Sequence, residues 1–186
     1  MSSIQTVSGQ IVELVNPDPE QIYIHDIAHA LSQICRFAGH SSRFYSVAAH
    51  SVLVSHRVPP EYALEGLLHD ASEAYIGDIS RPLKRALPEY QVIEARWEAA
   101  IAKRFRLDTR PGVHHYVKKA DNEALSIEAA YLMRPDDEYW AINVGQPKEM
   151  SPPTRFLLHL THAGAYMIFI NRFNELMEGR HARNAS

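Results

Sequence analysis

The sequence predicts an all-α fold, a bundle of about six to seven helices with a short β-hairpin at its N-terminal end. Three observations predict it. Apolar residues recur at three- and four-residue spacing through most of the chain. Prolines fall between these runs, where helices stop or start. β-branched residues flanking a turn signal are confined to residues 4–15.

Residues 4–15 surround Ser8-Gly9 and read as the hairpin. Asn16-Pro17-Asp18-Pro19 is a loop, because proline restricts both itself and its predecessor. A first helix over 24–37 places Ile24, Ile27, Ala28, Leu31, Ile34 and Cys35 on one face. A second covers about 46–57 and stops before Pro59-Pro60. A third starts near Glu61 and runs to Gly77. A loop containing Pro82 and Pro88 follows, then a helix over about 89–105 with Ile93, Trp97 and Ile101 inward. Pro111 opens a helix over 111–133, since proline suits a first helical turn. Residues 134–153, rich in Pro, Asp and Gly, read as a long surface loop. A last helix covers 154–178, with a frayed tail from Gly179. Trp97 and Tyr166 read as core residues.

At 186 residues the chain is expected to form a single domain, 1–186, with its core at about 24–178. A hydrophobic content of 46% and a charged content of 22% are ordinary for a soluble globule. The net charge of −3 leaves no global basic footprint for a nucleic-acid polymer. The one cysteine, Cys35, excludes an internal disulfide and reads as a buried, inert thiol. No signal-peptide pattern precedes residue 10, and no apolar run approaches the roughly 20 residues of a membrane span. A cytoplasmic protein is the expectation.

The chemistry is concentrated in Leu67-Leu68-His69-Asp70-Ala71-Ser72-Glu73. A carboxylate and an imidazole lie side by side in an apolar run, and a buried charge is costly unless it is paired or binds a metal. Glu73, three residues past Asp70 and four past His69, falls on the same helical face. His25-Asp26 repeats the dipeptide, but there Asp26 reads as a first-turn acid favoured by the helix dipole. Two isolated metal-competent residues occupy other apolar helical stretches: His50 within 46–53 and Asp121 within 117–125. Each alone reads as a hydrogen-bonded core residue. Together, two imidazoles and two carboxylates suit a divalent transition metal, and helix bundles build such sites from inward-facing side chains.

The order His50, His69-Asp70, Asp121 resembles the HD-domain metal-dependent phosphohydrolases. Residues 36–85 carry most of the likeness: Arg36-Phe37, then Phe44 to Ser51, then His69 to Asp78, then Arg81-Pro82-Leu83-Lys84-Arg85. This is similar to bacterial 5′-deoxynucleotidases and to phage deoxynucleoside triphosphate (dATP) triphosphohydrolases, over roughly residues 24–130. The resemblance implies an HD-domain helical bundle, metal ligation by His50, His69, Asp70 and Asp121, and a homo-oligomer. It also implies a nucleotide pocket containing Arg36 and Phe37. The metal is Zn, Co, Mn or Mg. Only eighteen residues separate His50 from His69, fewer than in longer members, so base preference is not carried over.

Phosphate-ester cleavage needs a group to orient or deprotonate the attacking water, and Glu73 is the candidate. An exposed helix acid, or an anchor for a ligand, is the bland reading. Asp78, just past Gly77, would handle water or sugar, or cap the next turn. Lys84 and Lys118 could reach phosphates, Lys118 because it lies three residues before Asp121. The usual reading of any lysine is a solvated charge, and Arg81 and Lys119 are weaker candidates. His114-His115 and the pair His159 and His162 could chelate, but no carboxylate accompanies them.

The expected activity is divalent-metal-dependent hydrolysis of a deoxynucleoside triphosphate, releasing triphosphate, or of a deoxynucleoside 5′-monophosphate. The alternatives are another phosphoester, such as a cyclic nucleotide or an alarmone, and a non-catalytic nucleotide-binding protein.

Overall fold

In a computed structural model, residues 2–134 and 151–184 are described. The protein is an all-α bundle preceded by a two-stranded antiparallel hairpin, as expected. Strands β1 (Ser3–Gln5) and β2 (Ile11–Glu13) pair with Ile4 opposite Val12. Gly9, at φ 87°, takes the left-handed turn conformation that favours glycine. Asp26 ties this turn to the first helix: its carboxylate accepts from the Ser8 N–H at 2.9 Å and the Ser8 hydroxyl at 2.7 Å. Its role is therefore a specific tether rather than a dipole effect alone.

The helices are α1 (Ile24–Gln33), α2 (Val47–Ser55), α3 (Ala63–Leu68), α4 (Glu73–Ile76), α5 (Arg81–Arg85), α6 (Pro88–Phe105), α7 (Pro111–Leu132), α8 (Pro152–Leu157) and α9 (His162–Asn184). The centre of the bundle is α2, all nine of whose residues are buried. A helix apolar on every side must be wrapped on every side, and α1, α3, α7 and α9 surround it. Ser46 caps it, accepting from the Ala49 N–H at 3.2 Å.

Gly66 sets the distance between α2 and α3. A β-carbon there would lie 3.2 Å from the Ser55 backbone and 3.0 Å from the Val58 side chain. On the far side, Tyr75 stacks on Trp97 at 3.9 Å, and the indole N–H donates to the Leu14 carbonyl at 2.9 Å. Trp97 is fully buried, and removing such a ring costs about 3–5 kcal/mol. Trp97 is core as expected, whereas Tyr166 is only partly buried and its hydroxyl meets His25 Nδ1 at 2.9 Å.

Several expected boundaries change. The helix expected over 24–37 ends at Gln33, because residues 34–36 run extended beside 45–47. The Arg36 N–H donates to the Tyr45 carbonyl at 2.8 Å, and the Val47 N–H to the Ile34 carbonyl at 3.0 Å. Cys35 sits in this bridge, half-buried, not in a helix. The helix expected through His69-Asp70 breaks there: α3 stops at Leu68, and residues 69–72 form a turn before α4. The loop expected at Pro82 holds the short helix α5, with Pro82 in its first turn, where its missing N–H costs nothing. The last helix is two helices, and α9 continues to Asn184 past the expected frayed tail. Most of the loop expected over 134–153 lies outside the described residues, and Pro152–Leu157 is helical.

Candidate metal centre and its cavity

His50 lies one turn into α2, Asp121 midway along α7, and His69 and Asp70 in the turn where α3 breaks. The break brings the last two onto the same hollow. Adjacent residues of a continuous helix diverge by about 100°, whereas here both reach His50. His69 Nε2 lies 3.2 Å from Asp70 Oδ2, and His50 Nε2 lies 3.6 Å from the same oxygen. His50 Nε2 is 3.3 Å from Asp121 Oδ1. His50, His69 and Asp121 each offer a ligand atom, all within 4.8 Å of one another, so this cluster could hold a metal ion. The two histidine rings are 5.2 Å apart, centre to centre.

The donor set fits a divalent cation. His50 Nε2 and His69 Nε2 are both buried and make no hydrogen bond, a costly state for a polar atom without a partner. His69 Nδ1 lies 2.9 Å from the Gly66 carbonyl, which only accepts, so Nδ1 carries a proton and Nε2 is the nitrogen turned toward the carboxylates. Burial would raise both aspartates, but His69 and His50 beside Asp70, and His50, His69 and Lys118 beside Asp121, hold them well below the usual carboxylate range. Burial and the Arg36 charge pull His50 down. The neighbouring Glu128 and Asp121 carboxylates overcome both and push it up to about 9. The hollow thus favours positive charge, and a divalent cation would displace the proton.

Sequence reasoning missed Glu128. It is fully buried, and its Oε1 lies 2.6 Å from His50 Nδ1 and accepts from the Tyr45 hydroxyl at 2.8 Å. Its Oε2 is 3.3 Å from Arg36 Nε. One signal was available: Glu128 is seven residues after Asp121, two turns along the same face of α7. Arg36 lies deeper than a phosphate-binding residue at a pocket mouth. Its side chain is 11% exposed, and it also approaches Asp70 Oδ2 at 3.5 Å.

A cavity of about 310 Å³ opens beside the cluster, lined by Arg36, Phe37, Asp70, Glu73, Asp78, Arg81, Lys84, Arg85, Lys118 and Asp121 among others. Every residue expected at the substrate or catalytic positions is therefore on its wall. Phe37 and Ala38 have φ of 56° and 49°, the left-handed region that costs non-glycine residues about 1–3 kcal/mol each. This strained turn puts both on the cavity wall. Glu73 is buried, and its Oε2 has no hydrogen-bond partner. Burial, then the Asp70 and Asp78 charges, push its carboxyl well above the usual range. The exposed-acid reading of Glu73 does not survive this placement. Burial also raises Asp78, which follows Gly77 at φ 81°.

Arg81 and Lys118 each donate to Asp121 Oδ2 at 2.8 Å, and Lys84 pairs with Glu94 at 2.5 Å. Arg81, ranked low from the sequence, is thus as close to the cluster as Lys118. A second cavity of about 490 Å³ shares Asp70, Lys84, Lys118 and Asp121 and is otherwise lined largely from α6 and α7. His159 is taken by Arg43 at 2.9 Å, and His162 lies edge-on to Phe44. Neither they nor His114-His115 join a metal-competent group among the described residues. No described helix is long and apolar enough to cross a membrane.

No protein-family model matches the chain. It is 44% identical over 181 residues to the uncharacterized protein YfdR of Escherichia coli K12, covering 97% of this chain and 98% of that protein. An uncharacterized protein of Rhodobacter capsulatus is 36% identical over 138 residues, 68% of this chain and 70% of its own.

Proposed function

We propose that the chain, which belongs to the YfdR family, is a divalent-metal-dependent phosphohydrolase of deoxynucleotides, with His50, His69, Asp70 and Asp121 as ligands. One observation carries this reading: two buried imidazole nitrogens that make no hydrogen bond converge with two carboxylates that line a cation-rich cavity. The HD-domain resemblance of the sequence supports it. When bound, a divalent ion supplies a water of lowered pKa and offsets phosphoryl charge.

The chain's own groups do the rest. Glu73 Oε2 has no competing donor, and its raised proton affinity suits it to take the proton of the attacking water. Asp78 shares that wall and would hold a water or a sugar hydroxyl. Arg81 and Lys118 are about half-exposed, so their pairs with Asp121 are worth at most about 1 kcal/mol. An anionic substrate can draw them away cheaply. With Lys84 and Arg85 they line the cavity beside Arg36, more cationic groups than one phosphate needs. This favours a triphosphate over a monophosphate. Phe37 offers a face for a base or sugar.

The test is a panel of deoxynucleoside mono-, di- and triphosphates, with products resolved by chromatography, with and without a chelator. Release of phosphate or triphosphate that stops on chelation and returns with metal is the expected result. Glu73→Gln is expected to lower kcat by about 10²–10⁴ while metal content stays at the wild-type level. Turnover by rigorously metal-free protein would overturn the reading.

A further inference from the structure

We propose that Glu128 is a positioning residue for the cation site, fixing the His50 ring so that Nε2 faces Asp70 and Asp121. The inference rests on the proposed ligand set, and it assigns work to a residue outside that set.

The argument starts from what a carboxylate can do. Glu128 Oε1 accepts from the Tyr45 hydroxyl at 2.8 Å and Oε2 faces the Arg36 guanidinium at 3.3 Å, so the carboxylate meets His50 as an acceptor. The 2.6 Å contact therefore places a proton on His50 Nδ1 and makes Nε2, which faces Asp70 and Asp121, the nitrogen at which a cation would replace a proton. For His69 the Gly66 carbonyl produces the same tautomer. Two different acceptors thus prepare two imidazoles in the same way.

A buried anion is a poor choice for stability alone. Glu128 has no solvent exposure, and its helix neighbours Ala124, Ile127 and Leu132 are buried and apolar. Replacing a whole buried ion pair with apolar side chains is often neutral or stabilising. Here the charge is kept and compensated, by the Tyr45 hydroxyl at 2.8 Å and by Arg36 Nε at 3.3 Å. Arg36 in turn reaches Asp70 Oδ2 at 3.5 Å. Of the polar neighbours of Glu128, His50 is a proposed ligand and Arg36 leads to one. One helix, α7, carries both Asp121 and the group that orients His50. Hydrogen bonds of this kind from carboxylate to ligating histidine fix the ring and raise its basicity.

The test is Co²⁺ titration of the metal-stripped full chain, read by the visible d–d absorption and by competition with a chelator of known affinity. Circular dichroism and the metal-free melting temperature are measured alongside. Glu128→Gln is expected to raise the Co²⁺ Kd by about 10- to 100-fold. Tyr45→Phe, which keeps the charge and removes one anchor, is expected to raise it by a smaller factor. A purely structural role would lower the melting temperature and leave the Kd of the folded protein unchanged, and that result overturns the proposal. Should Glu128→Gln fail to fold, a wild-type Kd in Tyr45→Phe overturns it. A wild-type chain that takes up no Co²⁺ removes the ligand reading itself, and this proposal with it. Wild-type uptake with unaltered variants removes this proposal alone.

Discussion

The buried layer beneath the cavity, its floor, and the cavity's rim both carry ionisable residues, under opposite physical conditions. On the floor, His50 and Glu128 have fully buried side chains and Asp121 is 9% exposed. On the rim, Arg81 is 42% exposed and Lys118 50%. Floor groups are held in one orientation, as with His50, whose Nδ1 is hydrogen-bonded to Glu128 while Nε2 faces the two aspartates. Rim groups are long, screened by solvent and paired with acids they can leave. The difference teaches that the floor selects by geometry and the rim by charge.

The contrast is breakable in three places. The largest effect is expected at the floor: Asp121→Ala should weaken metal binding by more than about 100-fold, since even groups behind ligands are worth 10–100-fold. Metal content after dialysis measures it, and full retention would remove Asp121 from the ligand set. Next comes the helix contact beneath the floor. Gly66→Ala should destabilise the fold by about 1–3 kcal/mol, because a β-carbon there meets Ser55 backbone and Val58 at 3.0–3.2 Å. Thermal unfolding reads this, and a melting temperature at or above wild type would show that α2 and α3 separate freely. The smallest effect is expected at the rim. Arg81→Ala should raise KM several-fold with metal content unchanged, and the penalty should shrink as ionic strength rises. A fall in metal content would place Arg81 with the floor.

The same contrast explains how much was legible in the sequence. His50 and Asp121 stood out because a polar residue in an apolar helical run has few explanations. Glu73 stood out by its spacing from His69 and Asp70, although the turn at 69–72, not a continuous helix, produces their convergence. Glu128 was equally buried and went unread, because its seven-residue spacing from Asp121 is the one local mark separating it from a surface glutamate on a long helix. Its meaning lies in Tyr45, His50 and Arg36, which are 78 to 92 residues away along the chain. Arg36 was read as the end of a helix, and its real place in an extended bridge depends on Tyr45 and Val47 across from it. Among the rim residues, spacing from Asp121 ranks Lys118 above Arg81, whereas the fold brings both to the same Asp121 oxygen at 2.8 Å.

Periodicity and proline placement were enough to write down the all-α class, the hairpin, most of the helical stretches and the residue types of a cation site, because each is dictated by neighbours within a turn or two of chain. Where helices break, which acceptor sets a histidine's tautomer and which cations border the cavity depend on groups far apart in sequence. Those were settled when α2 was enclosed by its neighbours, because burial drives most polar atoms near it to partners across the bundle and leaves several of the exceptions gathered at the candidate cation site.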